Sequence, residues 1–244
     1  MQKRHYRNTI NSGLEQHSLV AGETDLAIYL PHGIWNKALE HELMHTIITA
    51  RCELQEYIIA NPEFAASHQP IKISASAPNI VREMGEAAAK ASVGPMAAVA
   101  GQFAKTAGHF LLGHSSEVIV ENGGDIFLAG EQDFIIGVYA GPQNPFTGRL
   151  RVKICKELLP CGICTSSGTV GKSFSYGVAD AAMILAKDAA LADAAASAAG
   201  NIVKTPADVA SACDFALNIN GVLGALIVCQ SKMAAAGMLE LVPL

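Results

Sequence analysis

The sequence predicts an α+β fold: a mostly antiparallel sheet with packed alanine-rich helices. Three observations carry that expectation. The hydrophobic period changes along the chain in the order strands, helices, long strand meander, helices, strand, whereas a parallel sheet requires strand and helix to alternate. Half of the 244 residues are hydrophobic and only 16% are charged, well below the roughly 25% of an average domain, so the chain can fill a sizeable core. Much of that apolar content is alanine, in tracts such as AAAK at 87–90 and AAASAA at 194–199, and small side chains let helices approach closely.

Taken in order, SLVA at 18–21 and DLAIY at 25–29 are short β-type runs around a Gly22 turn and form a hairpin. A helix follows over 35–59, with Leu39, Leu43, Ile47 and Ile48 at helical spacing, and Asn61-Pro62 ends it. Residues 71–74 alternate as a strand does. Helices over 80–92 and 96–112 are separated by Val93-Gly94-Pro95 and stopped by Gly113. The period then falls to two, giving strands at 117–121, 126–128, 134–139 and 150–154, broken by Gly and Pro-Asn turns. Residues 162–165, the stretch around 173–175 and residues 182–185 continue the sheet. Helices over 189–199 and 206–216 and strands at 223–228 and 239–242 close the chain. No linker forces a boundary, so 1–244 is expected as a single domain, with 1–75 as a hairpin-plus-helix subregion.

The net charge of −5 leaves no diffuse basic field, which argues against nucleic acid as a partner. Lys3, Arg4, His5 and Arg7 cluster at the N-terminus and read as a solvated end. The longest uninterrupted apolar runs, such as VLGALIVC at 222–229, are under half of the roughly 20 residues a spanning helix needs. No apolar export segment opens the chain, so a cytoplasmic protein with no membrane partner and six reduced cysteines is expected.

Three groups of residues invite chemistry. His41-Glu42-Leu43-Met44-His45 matches HExxH on a predicted helix, where two histidines one turn apart could share a Zn²⁺ with Glu42 as general base. A third ligand is missing nearby, with Glu63 the remaining candidate, and a solvated helix face is the plainer reading. Cys161-Gly162-Ile163-Cys164 is a CxxC, but it leads into a hydroxyl-rich loop within a β region and has no second CxxC. Buried small side chains are the preferred role.

The third group is a set of loops and acids. In ENGGD at 121–125 paired glycines allow close backbone approach and could offer free N–H groups to phosphate, although a plain hairpin turn would read the same way. TSSGTVGK at 165–172 gathers four hydroxyls, two glycines and a lysine without P-loop spacing. Asp193 and Ser197 lie one helical turn apart, a carboxylate and a hydroxyl that suit a hard cation such as Mg²⁺.

Together NGGDI at 122–126, SSG at 166–168 and ADAAAS at 192–197 resemble the GGDI, TSG and ADALAT elements of the ApbE superfamily. Those proteins are flavin transferases that move FMN from FAD onto a Thr or Ser of a target protein with Mg²⁺. The similarity is closer to a small cytoplasmic branch with a placeholder name, through APNIVR at 77–82, VGPMAAVAG at 93–101, VENGGDI at 120–126 and TSSGTVG at 165–171. It runs from about 77 to 203, with a weaker match at Glu23-Thr24-Asp25.

The resemblance implies an ApbE-like fold of the T-fold type, with a flavin (FAD or FMN) or nucleotide-like ligand and Mg²⁺. By resemblance, Asp193, Ser197 and the Thr165 carbonyl hold the metal. Asn122, Gly123, Gly124 and Asp125 face the nucleotide, with Ser166, Ser167 and Gly168 beside it. Two departures stand out. The lysine of the family's IAKGYA element is replaced by Gly101, and SYGVAD at 175–180 stands in place of SHIIDPRTG. The expected function is therefore binding of such a ligand by a relative of the FMN transferases, with no catalytic residue assigned. A non-catalytic interaction protein on the same scaffold is the alternative, ahead of a zinc hydrolase. The small residues of 94–101 and 189–200 are open to two uses, an internal core or a homo-oligomer interface.

Overall fold

The computed structural model describes residues 13–170 and 175–243. Strands β1 (Glu15–Ala21) and β2 (Thr24–Leu30) form the predicted hairpin, followed by helices α1 (Lys37–Ala60) and α2 (Glu63–Ala66). Next come α3 (Asn79–Ala91) and α4 (Val99–Leu111), the latter entered through a 3₁₀ turn at Pro95–Ala98. The meander contains β3 (Val118–Asn122), β4 (Asp125–Ala129), β5 (Phe134–Gly137), β6 (Leu150–Ile154) and β7 (Cys161–Ser166). Then follow β8 (Ala181–Ala186), α5 (Ala189–Ile202), α6 (Val209–Leu217), β9 (Val222–Cys229), β10 (Lys232–Gly237) and β11 (Glu240–Pro243).

Eight strands form one antiparallel sheet in the order β1-β2-β3-β4-β7-β8-β9-β10, and β11-β6-β5 form a second, small sheet. The large sheet is covered on both faces. Ile28, Val120, Phe127, Cys164, Ile184 and Ile227 point to the helices. Their strand neighbours Tyr29, Ile119, Leu128, Ile163, Leu185 and Leu226 point to the small sheet, against Phe134, Ile136, Val152 and Ile154. Strands buried on both faces read as continuous apolar runs, which is why the period-two signal in the sequence is weak where the sheet is most central. The result is three layers: helices, large sheet, small sheet.

The helix layer is close-packed through small residues. Helix α5 is buried almost throughout, including Ala189, Ala190, Ala192, Ala194, Ala195, Ala196, Ala198 and Ala199, and packs on α3, α4, β7 and β8. A Cβ on Gly162 would sit 2.2 Å from the Ala189 Cα, and one on Gly108 2.1 Å from the Phe127 ring. Of the small residues singled out in the sequence, those of 189–200 are buried within this chain except the half-buried Ser197, whereas in 94–101 Gly94, Ala98 and Gly101 are buried and Ala97 and Ala100 half-buried.

One expectation needs correction, another falls mostly outside the described residues, and one strand has no counterpart in the sequence reading. Residues 71–74 form no strand; their alternation seats Ile71 and Ile73 against the helical core, Ile73 in the space left by Gly85, with no strand edge to pair. Of the stretch around 173–175, Ser173 and Phe174 lie outside the described residues, and Ser175 is in irregular chain. Strand β10 was not expected: its KMAAAG sequence has little β propensity, and its pairing to β9 at the sheet edge makes it a strand. The basic N-terminal residues also lie outside the described range. No helix among the described residues is long and apolar enough to cross a membrane.

Candidate functional site

The site is built where three elements meet: the β3–β4 hairpin, the N-terminus of α4 and the middle of α5. Asn122 pairs with Asp125 across a two-residue turn, and Gly123 and Gly124 both take positive φ, 72° and 108°. That backbone is the preferred turn between two twisted strands, and it favours Gly, Asn or Asp at the first place and glycine at the second. The Gly124 N–H donates to the Glu121 carboxylate at 2.7 Å. Of the N–H groups expected to be free in this stretch, the Gly124 amide is thus taken up by the turn itself. Gly123 is exposed, and nothing lies within 4 Å of where its Cβ would be.

Asp193 projects from α5 onto the first turn of α4. Its Oδ2 accepts the Gly101 N–H at 2.8 Å, and the Ala100 N–H lies on it too. These are orphan donors of a helix N-terminus, where a carboxylate is favoured. Asn122 braces the same turn by donating to the Ala100 carbonyl at 3.1 Å. Asp125 stands beside them, with its Oδ1 buried and without a hydrogen-bond partner. Among the described residues no lysine or arginine forms an ion pair with Asp125 or Asp193.

Burial dominates the electrostatics. It pushes Asp193 up to about 7, against the amides of Gly101 and Ala100. Asp125 is also driven well above the carboxylate range, first by burial and then by the neighbouring Asp193 charge. Two acids in one dry place cannot both ionise cheaply. Cys164 faces the same pair from β7, donates to the Ala189 carbonyl at 3.3 Å, and is pushed up by burial.

The hydroxyl loop flanks this centre. The Thr165 carbonyl is 3.7 Å from where a Gly124 Cβ would be, and the Thr165 N–H serves Asp125. Ser166 lies against Gly200 of α5. Ser167 Oγ accepts the N–H groups of Thr169 and Val170, closing the loop on itself, and the Gly168 N–H donates to the Ala179 carbonyl at 2.8 Å. Ser197, half-buried, follows Asp193 one turn along α5. The weaker Glu23–Asp25 match also falls nearby, since Leu26 pairs with Asn122 and places that hairpin end beside the glycine turn. Arg51 of α1 holds it through Glu23 and Thr24.

Gly101 proves to be a packing requirement. A Cβ there would lie 2.2 Å from the Ala189 carbonyl oxygen and 2.8 Å from the Asp193 Cβ. No lysine fits at that place while α4 and α5 are in contact.

The remaining sequence candidates lie elsewhere. His41, Glu42 and His45 are on the exposed face of α1. Among the described residues the one group of three Cys, His, Asp or Glu ligand atoms within mutual reach is Asp133, Cys155 and Glu157, which includes neither histidine. Cys161 and Cys164 are free and buried on opposite faces of β7, so the CxxC forms no thiol pair. Sequence reasoning named the stretch that holds Glu121 without giving that residue a role, and passed over Asn201. Asn201 continues the spacing of four from Asp193 and Ser197, and that spacing was a readable signal.

Comparison with known proteins gives this geometry a family. A family model described as AbpE bacteria matches residues 7–235. A UPF0280 protein of Methanococcus vannielii is 44% identical over 196 residues, 78% of this chain and 79% of that protein. One from Methanocaldococcus jannaschii is 38% identical over 225 residues, 90% and 89% of the two chains. Among solved structures, the ApbE protein of Thermotoga maritima superposes with a TM-score of 0.56 at 14% identity, covering 92% of this chain and 96% of that one. A variant of the flavin transferase ApbE of Vibrio cholerae gives 0.54 at 13%, over 93% and 97%. At those identities the structural likeness establishes a shared fold. The chain belongs to the ApbE-like superfamily, in its UPF0280 branch.

Proposed function

We propose that this protein binds a flavin nucleotide, FAD or FMN, or a nucleotide of the same chemistry, together with Mg²⁺ at the junction of α4, α5 and the β3–β4 turn. The observation that carries the reading is the pair Asp125 and Asp193. Both are at least nine-tenths buried, they repel one another, and neither has a cationic side chain among the described residues. Buried acids without a counter-charge are costly unless protonated or bound to a metal.

The residues fit a hard cation. Asp125 has an unpartnered buried oxygen, Asp193 adds a carboxylate that accepts the Gly101 N–H on Oδ2, Ser197 adds a hydroxyl and Thr165 a backbone carbonyl. An all-oxygen set of this kind suits Mg²⁺ completed by water and phosphate oxygens. A cation bound there supplies Lewis-acid polarisation of a phosphoanhydride oxygen. The chain's own contribution is positional. Asp193 and Asn122 hold the first turn of α4 in place, and the exposed Gly123 lets a ligand reach the backbone.

With the lysine position closed at Gly101, the reading is one of binding, and transfer chemistry is not carried over from the solved relatives. Thermal unfolding of metal-stripped protein with FAD, FMN or ADP, each with and without Mg²⁺, tests it. A ligand at a hundredfold excess over Kd adds about 2.7 kcal/mol, which raises Tm by roughly 5–10 °C in a chain of this size. The rise should need Mg²⁺ and vanish in Asp193→Asn, which keeps an acceptor for the Gly101 N–H. No shift with any of the three overturns the reading in favour of a non-catalytic interaction protein.

A further inference from the structure

Helix α5 carries a polar line. Asp193, Ser197 and Asn201 follow at intervals of four, so they share one face over about 12 Å of helix. Exposure rises along it: Asp193 is buried, Ser197 and Asn201 are half-buried, and at the outer end stands Tyr176 with 52% of its surface open.

That aromatic is fixed in a way an ordinary surface side chain is not. The Tyr176 N–H donates to Asn201 Oδ1 at 2.9 Å, and its carbonyl accepts from the Lys204 ammonium. The next residue, Gly177, lies so close to the Gly200 carbonyl that a Cβ would sit 1.9 Å from it. On its other side Gly177 is packed under Gly168 of the hydroxyl loop. The Tyr176 backbone is thus clamped between α5 and that loop, while its ring faces outward. His68 meets the ring edge-on, with centroids 5.4 Å apart. The His68 segment is itself held, because Gly94 admits the Ser67 carbonyl where any larger residue would block it.

We propose that Tyr176, braced by His68, is the stacking platform for the planar ring of the bound nucleotide. The inference rests on the reading that a nucleotide binds along α5 with its phosphates toward Asp193. A tyrosine with a clamped backbone and half of its surface exposed offers a large aromatic surface at small entropic cost. The platform recognises a heteroaromatic plane, and isoalloxazine and adenine are the two sources of one in FAD.

Binding of FMN, ADP and inorganic pyrophosphate, each with Mg²⁺, to the wild-type protein and to Tyr176→Ala, Tyr176→Phe and Asp193→Asn tests this. Tyr176→Ala should weaken at least one ring-bearing ligand about tenfold or more, the effect of deleting an aromatic under a stacked base. Tyr176→Phe should restore binding, and pyrophosphate should bind Tyr176→Ala as it binds wild type. Loss confined to FMN identifies isoalloxazine as the stacked ring, and loss confined to ADP identifies adenine. Unchanged FMN and ADP affinities in Tyr176→Ala, with binding still lost in Asp193→Asn, remove the platform and leave the phosphate site standing. If no probe binds wild type, both readings fall.

Discussion

Substituting Gly101 by alanine sets two opposing effects against each other, and their sizes predict the sign. In a helix interior, glycine to alanine stabilises by up to about 1 kcal/mol through backbone entropy. Against that, the new methyl would lie 2.2 Å from the Ala189 carbonyl oxygen and 2.8 Å from the Asp193 Cβ. Neither neighbour can swing aside, because the oxygen belongs to helix backbone and the Cβ is the root of a buried side chain. Reaching ordinary contact requires α4 and α5 to part by roughly an ångström. Overpacking of a well-filled interior costs about 1–3 kcal/mol, and the strain here falls at the top of that range because α5 is buried on nearly every face. The expected net loss is about 2 kcal/mol, read as a lower urea midpoint with unchanged slope. The same movement draws Gly101 N–H away from Asp193, so any Mg²⁺-dependent ligand shift should shrink with it. Gly101→Lys, which restores the residue found in the transferases, should be worse still. A neutral or stabilising Gly101→Ala would refute the close approach of the two helices, and with it the account of the missing lysine.

Two further outcomes follow from the charges and thiols. Lys105 of α4 lies 3.0 Å from Glu83 and 2.5 Å from Asp188, joining three helices. Its ammonium holds both carboxyls below their ordinary values against the cost of burial, and theirs hold Lys105 above its own. Lys105→Met should therefore cost about 1–2 kcal/mol at pH 7, since the acids remain a third exposed and solvent screens them. Acids with lowered native pKa contribute stability above their unfolded values and lose it as pH falls. The gap between wild type and variant should thus close below about pH 4, and a gap unchanged from pH 7 to 3 would sink the ion-pair account. Thiol labelling of the native protein should modify Cys52 fastest and Cys155 more slowly, with Cys161, Cys164, Cys213 and Cys229 reacting only on unfolding. Burial holds Cys161 near 12, far from a reactive thiolate. An intramolecular disulfide between Cys161 and Cys164 in oxidised native protein would contradict their placement on opposite sheet faces.

Much of the fold was legible because it is written in local pattern. The β1–β2 hairpin, α1, the meander and the alanine-rich α5 all follow from residue period and punctuation. The failures share a cause. Ile71 and Ile73 alternate as a strand does but meet helices, and the Ala-rich β10 is a strand only because β9 offers it an edge. In each case the partner decides, and the partner is remote in sequence.

The candidate site divides the same way. That Gly123 and Gly124 turn a hairpin, and that Asp193 and Ser197 share a helix face, follow from backbone sterics and the 3.6-residue period alone. Tertiary structure alone decided that Asp193 caps α4, that Asp125 lies beside it with Oδ1 unpartnered, that Glu121 takes the Gly124 amide, and that Gly101 leaves no room for a side chain. Those facts depend on how closely α4, α5 and the large sheet approach. Spacing is set by the summed fit of small residues from segments far apart in the chain, Gly101 against Ala189 and Gly162 against Ala189, and no local period records it.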